Sequence, residues 1–327
     1  MYTNKYHSAD FLDIQFLVTG GAGFIGSNIV KYLLKYGAKK VRVLDNLATG
    51  SMANLEEFSS NPAFEFMDGD IRKIADCKSA MEGIDYVSHQ AALGSVPRSI
   101  NDPITSNDVN VGGFLNMLVA QNESNTVKKM VYAASSSTYG DSPNLPKVEH
   151  IIGKPLSPYA VTKLVNELYA DVFYKTYGTK TLGMRYFNVF GPNQSPTGAY
   201  AAVIPLFMQA LLDEKAPTMN GDGEQTRDFT YVENAVQANI RGMFSGDEAN
   251  NEVVNIAYGD RISLNTLWAD LKEVSDTNLE ALYGPPRRGD VRDSLANIEK
   301  AKKLIGYDPK FSVAQGLKVT WDYYKNS

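Results

Sequence analysis

The sequence predicts an α/β fold in which a doubly wound parallel sheet is joined to a smaller, interleaved C-terminal α/β region. Three observations support this prediction. Short β-rich runs alternate with amphipathic helical stretches through the first 185 residues, which is typical of a parallel sheet covered on both faces. A glycine-rich turn follows the first run. After about Tyr186, Gly and Pro interrupt the alternation, which indicates loops and helices over the carboxyl ends of the strands.

Seven short runs are expected to form the strands of the sheet, and the last of them returns to it from the C-terminal half. They comprise residues 15–19, 41–44, 64–67, 86–89, 130–134, 181–185 and 253–256. Because of this return, we expect one region to contain residues 1–185 and 229–260. The second region then contains residues 186–228 and 261–327.

The helices are predicted from apolar residues at helical spacing between these runs. In residues 24–36, Ile25, Ile29, Leu33 and Tyr36 recur at intervals of three or four and define one face. The other main helical stretches are residues 105–121, 158–177 and 231–244.

Composition excludes several classes of protein and site. The formal net charge of −5 gives no general attraction to nucleic acid or anionic lipid. The single cysteine, Cys77, excludes an intramolecular disulfide, and His7, His89 and His150 are too scattered to indicate a zinc site. The polar N-terminus lacks the features of a signal peptide, and no apolar run approaches the ~20 residues of a membrane helix. We therefore expect a cytoplasmic protein with no metal, nucleic-acid or membrane partner.

The turn after the first strand has the composition of a phosphate-binding loop. Gly20, Gly21, Gly23 and Gly26 satisfy both the G-x-G-x-x-G pattern and its G-x-x-G-x-x-G variant. Glycine permits a tight turn and a close approach of backbone N–H groups to a pyrophosphate, and the following helix presents further unpaired donors. In this strand–turn–helix context the motif predicts a Rossmann-type dinucleotide-binding fold.

Two acidic residues follow the second and third strands. Asp45 stands nineteen positions after Gly26, where a carboxylate accepts hydrogen bonds from the ribose hydroxyls of NAD and repels the 2′-phosphate of NADP. Asp70, with Ile71, is placed to contact the adenine, although a plain turn at residues 69–70 explains the pair nearly as well. The cofactor is therefore predicted to be NAD.

The most informative stretch for catalysis is Ser157-Pro158-Tyr159-Ala160-Val161-Thr162-Lys163. Ser157 suits an N-cap and Pro158 the first helical position, which places Tyr159 in the first turn with Lys163 four residues on. The helix dipole and the lysine ammonium both favour the tyrosinate form. The pKa of a free tyrosine phenol, about 10, is otherwise too high for a base at neutral pH. The alternative is an ordinary amphipathic helix with an exposed lysine.

Three consecutive serines follow the apolar strand at residues 130–134. Ser135, Ser136 and Ser137 lie at the carboxyl end of this strand, where their hydroxyls can hydrogen-bond a substrate oxygen. A capped turn is the alternative, since serine favours turns in any protein.

Together these motifs resemble the extended short-chain dehydrogenase/reductase family over nearly the whole chain. The resemblance rests on TGGAGFIG from Thr19, the turn at Asp45, HQAA from His89, the triple serine, YAVTK from Tyr159 and RYFNVFGP from Arg185. Within the family, the chain is most similar to bacterial UDP-N-acetylglucosamine 4-epimerases, relatives of UDP-galactose 4-epimerase.

The resemblance implies a reaction that inverts C4 of a UDP-sugar. Tyr159 would remove the proton of the 4-hydroxyl while C4 gives its hydride to NAD⁺. The 4-keto sugar would rotate about its phosphate linkage, and enzyme-bound NADH would return the hydride to the opposite face. Lys163 would hold the nicotinamide ribose and lower the pKa of the tyrosine. Ser135 matches the family's catalytic serine or threonine, with Ser136 beside it.

The resemblance also implies two sets of binding residues. Those for the cofactor are Gly20, Gly23, Phe24, Ile25, Gly26, Asp45, Asn46, Gly50, Asp70, Ile71, Gln90, Ala91, Ala92, Asn110, Tyr159, Lys163, Tyr186 and Val189. Those for the UDP-sugar are Ser95, Ser135, Ser136, Ser137, Tyr159, Asn188, Ala202, Val203, Asn220, Arg227, Arg287, Asp290 and Ser294.

Among the substrate residues, Asn188 and Arg227 would contact the diphosphate, and Arg287 and Asp290 the second phosphate and the uridine ribose. Taken without the resemblance, these arginines are ordinary surface charges. Ala202 and Ser294 occupy pocket-wall positions. Their small side chains would leave room for a 2-acetamido group, so UDP-GlcNAc and UDP-GalNAc are the expected substrates, with UDP-Glc and UDP-Gal as further ones.

Three alternatives remain open. A UDP-glucuronate 4-epimerase needs the same hydride chemistry. Dehydratases and decarboxylases of the family carry carboxylates near the catalytic residue, where this chain has Ser136 and Ser137. A non-catalytic NAD-binding sensor would not need Tyr159 and Lys163.

The resemblance further implies a homodimer. The helices at residues 105–121 and 158–177 are similar to the pair that forms a four-helix interface in the family. Their apolar positions can equally belong to the core of a single chain.

Overall fold

The computed structural model describes residues 1–196, 201–285 and 292–326. These ranges contain thirteen strands. In chain order, β1 to β13 are Gln15–Thr19, Lys40–Asp45, Phe64–Asp68, Tyr86–His89, Lys129–Ser135, Thr181–Tyr186, Val189–Phe190, Thr218–Asn220, Thr226–Arg227, Thr230–Tyr231, Glu252–Ile256, Ile262–Ser263 and Leu282–Gly284.

Eleven α-helices lie between and after these strands in the same ranges. In chain order, α1 to α11 are Phe24–Lys35, Ile74–Met81, Val96–Asn101, Pro103–Asn107, Gly113–Glu123, Pro158–Tyr177, Val203–Leu212, Val232–Met243, Leu264–Ser275, Glu299–Ile305 and Val313–Lys325.

Seven strands form one parallel sheet in the order β11-β6-β5-β4-β1-β2-β3. The chain winds outward from β1 in both directions, so the predicted Rossmann-type, doubly wound sheet is confirmed. The winding reverses between β1 and β4, and a crevice therefore opens above their carboxyl ends. The predicted return of the chain to this sheet is seen where β11 pairs with β6.

One predicted helical stretch contains an interruption of its regular geometry. Residues 105–121 are helical as predicted, in the order α4, a π-helical turn over Asp108–Gly112 and then α5. The interruption falls at Gly112 and Gly113, and glycine disfavours the helix interior. A Cβ on Gly113 would lie 2.5 Å from Cδ1 of Ile71, so this point of the helix packs directly on the loop after β3.

Both faces of the sheet are covered by apolar cores. On one face, Phe16, Val18 and Val43 pack with Ile29 of α1 and Val236 of α8. On the other face, residues of α2, α5 and α6 pack on the strands through a second cluster. Each fully buried large side chain contributes roughly 1.5–3 kcal/mol, and the two layers together hold the carboxyl ends of the strands in place.

The C-terminal region has its own core and only short strand pairs. β7 pairs with β10, β9 with β12 and β8 with β13. Phe207 of α7 and Trp268 of α9 make an edge-to-face contact with ring centroids 5.5 Å apart inside a third apolar cluster. This region lies over the crevice and forms the outer wall of the cavities described below. Over the described ranges, none of the helices has the combination of length and apolarity needed to cross a membrane.

Candidate active site

The glycine turn between β1 and α1 has room for backbone only. Gly20 has φ +67°, and a Cβ at this position would lie 2.7 Å from the backbone nitrogen of Ala91. A Cβ on Gly26 would lie 2.2 Å from the carbonyl oxygen of Gly20. Gly23, at the N-cap of α1, has no side chain with which to cap the helix. The first amides of α1 are therefore left for an anionic ligand, and a pyrophosphate fits this cradle.

Asp45 ends β2 beside this turn. Its carboxylate accepts hydrogen bonds from the N–H of Ala22 at 3.0 Å and of Leu47 at 2.8 Å. Burial raises the pKa of Asp45, and these hydrogen bonds oppose the increase. An oriented carboxylate at this position suits the free ribose hydroxyls of NAD and disfavours a 2′-phosphate. Asp70 lies at the same end, where the Arg72 guanidinium lowers its pKa to about 2.

A cavity of about 670 Å³ runs from the glycine turn to α6. All the cofactor residues predicted from the sequence line this cavity, with the exception of Asn110. Asn110 is buried behind the wall, where its Oδ1 accepts from the N–H of Leu93 at 2.8 Å and its Nδ2 donates to Thr162 at 3.2 Å. Its polar atoms join the loop after β4 to α6, and a direct contact of Asn110 with the cofactor stays a prediction.

Tyr159 enters the cavity from the first turn of α6. Ser157 caps the helix by accepting from the N–H of Ala160 at 3.2 Å, and the N–H of Tyr159 donates to Ser99 Oγ at 3.0 Å. Burial raises the pKa of the Tyr159 phenol, and a hydrogen bond with Ser135 opposes this increase. Ser135 Oγ in turn accepts from Ser137 Oγ at 2.9 Å, so the serines form a chain that leads to the phenol.

Lys163 lies beneath Tyr159 on the same face of α6. Its Nζ donates to the carbonyl of Ala133 at 2.7 Å and lies 5.9 Å from the centroid of the Tyr159 ring. Burial lowers the pKa of Lys163 to about 8. The sequence predicted that this ammonium and a cationic nicotinamide would together lower the pKa of Tyr159. In the protein alone, burial raises the pKa of the phenol, and the prediction for the complex with the cofactor stays a prediction.

Two further cavities of about 640 Å³ each meet the cofactor cavity at Asn188 and Ala202. We call the first the nucleotide cavity; it is lined by Val203, Asn220 and Arg227. We call the second the sugar cavity.

The sugar cavity brings together residues from widely separated parts of the chain. Among the predicted substrate residues that line it are Ser95, Ser136, Ser137, Asn188, Ala202, Arg227 and Ser294. Ser135 and Tyr159 lie on the adjoining wall of the cofactor cavity. Arg287 and Asp290 lie outside the described residues.

Two wall residues were not found by sequence reasoning. Gln194 lines both the cofactor and the nucleotide cavities, and its buried Oε1 has no hydrogen-bond partner among the described residues. Lys147 lines the sugar cavity. Gln194 stands in a Gly- and Pro-rich loop over the strand ends, a signal that could have identified it. Lys147 follows Pro146 in a polar loop and carries no comparable signal.

Asp228 joins the segments that carry the substrate residues. Its carboxylate accepts from the N–H of Tyr258 at 3.1 Å, Gly259 at 3.2 Å and Ala296 at 3.1 Å. Its own carbonyl accepts from Asn188 Nδ2 at 3.0 Å. Burial raises the pKa of Asp228 to about 7. Asp228 therefore links Asn188, through its backbone carbonyl, to the segment that carries Ser294, through its carboxylate.

Comparison with known proteins gives one family. The model of the NAD dependent epimerase/dehydratase family matches residues 16–257. A putative UDP-glucose 4-epimerase of Methanocaldococcus jannaschii is 38% identical over 313 residues, covering 95% of this chain and 98% of its own. Identity at this level over nearly the full length of both chains indicates common descent of the whole fold.

Solved structures agree with this result. The UDP-N-acetylglucosamine 4-epimerase of Methanobrevibacter ruminantium M1, in complex with UDP-N-acetylmuramic acid, has a TM-score of 0.91 and 37% identity, covering 96% of this chain and 99% of its own. The UDP-glucuronic acid 4-epimerase of Bacillus cereus, in complex with UDP-glucuronic acid and NAD, has a TM-score of 0.88 and 30% identity, covering 96% and 99%.

Proposed function

This chain belongs to the NAD dependent epimerase/dehydratase family, and we propose that it is a UDP-N-acetylglucosamine 4-epimerase, which interconverts UDP-GlcNAc and UDP-GalNAc. Membership confirms the resemblance drawn from the sequence motifs. Its relatives support the general assignment as a nucleotide-sugar 4-epimerase, and its cofactor is NAD. The proposal concerns which sugar it acts on.

The observation that carries the proposal is the position of Tyr159 and the serines. Tyr159 and Ser135 line the cofactor cavity, while Ser136 and Ser137 belong to both the cofactor and the sugar cavities. A sugar held against these serines presents its hydroxyls to the phenol and to the nicotinamide side of the site at once. This is the arrangement that hydride and proton transfer at a single carbon requires.

Each catalytic residue has a distinct task. When bound, NAD accepts the hydride of the sugar C4 and returns it to the other face. The phenolic oxygen of Tyr159 takes up and returns the proton of the 4-hydroxyl. The hydrogen bond with Ser135 stabilises the phenolate. The ammonium of Lys163, anchored on the carbonyl of Ala133, holds the cofactor ribose and adds positive charge beneath the ring.

The walls of the sugar cavity support an epimerase rather than a dehydratase. Among the described residues, the acids that line the cofactor cavity are Asp45 and Asp70, at the adenosine end. Within residues 1–196, 201–285 and 292–326, Asp293 is the one acid that lines the sugar cavity. Elimination of water would use an acid–base pair of carboxylates beside Ser135. The described residues that line the two cavities contain no such pair beside Ser135.

The small residues of the cavity walls support the acetylated sugar. Ala202 and Ser294 leave open volume where larger side chains would exclude a 2-acetamido group. The relative from Methanobrevibacter ruminantium M1 holds UDP-N-acetylmuramic acid, which carries the same acetamido group. We therefore propose UDP-GlcNAc and UDP-GalNAc as preferred substrates. We also propose the binding residues predicted from the sequence, and residues 186–228 and 261–327 as the nucleotide-sugar region.

The experiment is an NMR assay of C4 epimers on UDP-GlcNAc, UDP-Glc and UDP-glucuronate. We expect UDP-GalNAc from UDP-GlcNAc at the highest rate. Tyr159→Phe should retain NAD binding and lose turnover, whereas Tyr177→Phe, at an exposed position of the same helix, should retain both. A product formed only from UDP-glucuronate would reject the proposed sugar, and full activity of Tyr159→Phe would reject the proposed base.

We also propose a homodimer that uses α3, α4 and α6. Large apolar side chains on these helices are more than half exposed: Ile100, Ile104, Leu168 and Val172. Exposed large apolar side chains on neighbouring helices are typical of an interface between subunits. Light scattering should give twice the monomer mass, and Leu168→Asp should give a monomer that retains NAD binding. A monomeric wild-type protein would contradict the proposal.

A further inference from the structure

The residues before β1 are packed into the fold. We call residues 2–11 the N-terminal strap; they precede residues 16–257, which the family model matches. Tyr2 and Tyr6 of the strap are buried. Their rings contact the ring of Tyr32 in α1, with centroids 5.8 Å and 5.5 Å apart. The strap therefore belongs to the core beside α1, the helix whose first turn forms the pyrophosphate cradle.

A buried carboxylate at the start of α8 holds the strap in place. The N–H of Tyr2 lies 3.1 Å from each oxygen of Glu233, and the hydroxyl of Tyr6 donates to the same carboxylate at 2.9 Å. Tyr2 has φ +58°, a left-handed conformation that is unfavourable for a residue with a large side chain. The hydrogen bonds to Glu233 stabilise this conformation, in which the phenol of Tyr2 reaches Asn28 of α1.

Asn28 connects the strap to the wall of the cofactor cavity. Its side chain is buried, and its Oδ1 accepts from the Tyr2 hydroxyl at 2.7 Å. Its Nδ2 donates to the carbonyl of Phe24 at 2.9 Å and to that of Pro192 at 3.0 Å. Since both carbonyls are acceptors, the amide has one orientation that forms all three hydrogen bonds, and Tyr2 must be the donor to Oδ1. Burial raises the pKa of the Tyr2 phenol, so it stays protonated and remains a donor.

The two carbonyls belong to different walls of the cofactor cavity. Phe24 begins α1 and lines the cavity. Pro192 lies in the loop after β7, in which Gln194 lines the cofactor and nucleotide cavities. Asn193 of this loop donates to Ser27 Oγ of α1 at 2.9 Å. The loop is therefore held against α1 by side-chain hydrogen bonds, and one of them depends on the strap.

We propose that Tyr2 is a positioning residue for NAD, because through Asn28 it holds the loop of Gln194 against α1 and so slows release of the bound cofactor. Without the Tyr2 hydroxyl, Oδ1 of Asn28 is a buried acceptor without a donor, which disfavours this position of the amide and weakens its bond to Pro192. The loop then moves away from α1 more readily, and a bound dinucleotide loses contact with this wall. Tyr2 itself does not line the cofactor cavity, so its effect is indirect.

The experiment measures the dissociation rate of NADH, whose fluorescence changes when excess NAD⁺ displaces it from the full chain. Tyr2→Phe removes only the hydroxyl and should raise this rate by about threefold to tenfold, the effect of one hydrogen bond. Asn28→Ala removes the whole connection and should raise the rate at least as much. The double variant should release NADH no faster than Asn28→Ala alone, because both substitutions break the same connection.

Tyr6→Phe is the matched control. It removes a buried hydroxyl of the same strap that is bonded to Glu233 and not to Asn28, so it should lower the melting temperature but change the dissociation rate by less than about twofold. Equal acceleration by the two tyrosine substitutions would assign the effect to a general loosening of the strap and overturn the inference. An unchanged rate in Tyr2→Phe would overturn it as well.

The comparison of the two tyrosine variants decides the question even if Asn28→Ala does not fold. The assay contains no sugar, so its outcome is independent of the proposed 4-epimerase function. Loss of sugar turnover in a protein that still releases NADH slowly would count against that function and not against the role of Tyr2.

Discussion

The cofactor half and the substrate half of the site are built in different ways. The cofactor cavity is formed largely by backbone at the ends of long parallel strands: the N–H of Gly20 donates to Leu44, and that of Gln90 to Thr19. The substrate cavities are formed by strands of two or three residues and by side chains such as Arg227, which donates to the carbonyls of Thr226 and Arg292. The glycine turn of the cofactor cavity thus depends on backbone geometry, with Asp45 and Lys163 as side chains beside it, whereas the substrate cavities depend mainly on side chains.

This difference predicts that the two halves respond to different substitutions. A substitution that adds a Cβ where the glycine turn has no room should destroy cofactor binding, whatever the chemistry of the new side chain. Changes of side-chain size or charge in the substrate half should alter the choice of sugar and leave NAD bound. The following predictions test the distinction, from the largest expected effect to the smallest.

Gly26→Ala should weaken NAD binding by about a hundredfold or more, because its Cβ would lie 2.2 Å from the carbonyl oxygen of Gly20 and would distort the pyrophosphate cradle. Gly112→Ala is the control, since nothing lies within 4 Å of its added Cβ. Calorimetric titration with NAD, together with thermal unfolding of both variants, measures the effect. Normal NAD affinity in folded Gly26→Ala would show that the turn adapts and that backbone space is not decisive.

Arg185→Met should destabilise the protein by about 3–5 kcal/mol, because it leaves the buried carboxylate of Glu167 without its partner at 2.7 Å. This pair joins β6 to α6, the helix of Tyr159 and Lys163. The double variant Arg185→Met/Glu167→Met should recover much of the loss, since no unpaired charge remains. Urea unfolding is the measurement. Lys175→Met, which breaks an exposed pair with Asp171, should cost less than about 1 kcal/mol.

Ser294→Tyr should lower kcat/KM for UDP-GlcNAc by about tenfold to a hundredfold and affect UDP-Glc much less, because the larger side chain fills the space for the acetamido group. NAD affinity should not change. Ser294→Ala, which removes only the hydroxyl, serves as the control. An equal loss on both sugars would place Ser294 outside the acetamido contact.

Raising the pH from 7 to 9 should weaken NAD binding a few-fold. Burial lowers the pKa of Lys163 to about 8, so its ammonium is present below this pH and becomes a neutral amine above it. Charge-assisted hydrogen bonds are roughly twice as strong as neutral ones, which sets the modest size of the effect. Lys163→Met should bind NAD weakly and with no step near pH 8. A step of the same size in that variant would assign it to another group.

Much of the site follows from local patterns. The glycine turn, Asp45, Tyr159 and Lys163 were predicted because each stands at a fixed place in a strand–turn–helix unit, where local geometry determines what a side chain can reach. Residues 105–121 were predicted as helical and are so, but the π-helical turn within them was not predicted, because it depends on the packing of Gly113 on Ile71. The position of Asn110 behind the cavity wall was not predicted for the same reason, since its partners lie on other elements.

By itself, the sequence determined the class of the fold, the order of its main strands along the chain, and the predictions of an NAD-binding turn and a catalytic pair, since these depend on residues close together in the chain. Only the tertiary structure decided how Gln194 and Lys147 come to line the cavities and how Asp228 joins the segments beside them. Their environments arise from segments far apart in the chain, and the burial that lowers the pKa of Lys147 and raises that of Asp228 is a property of the packed molecule.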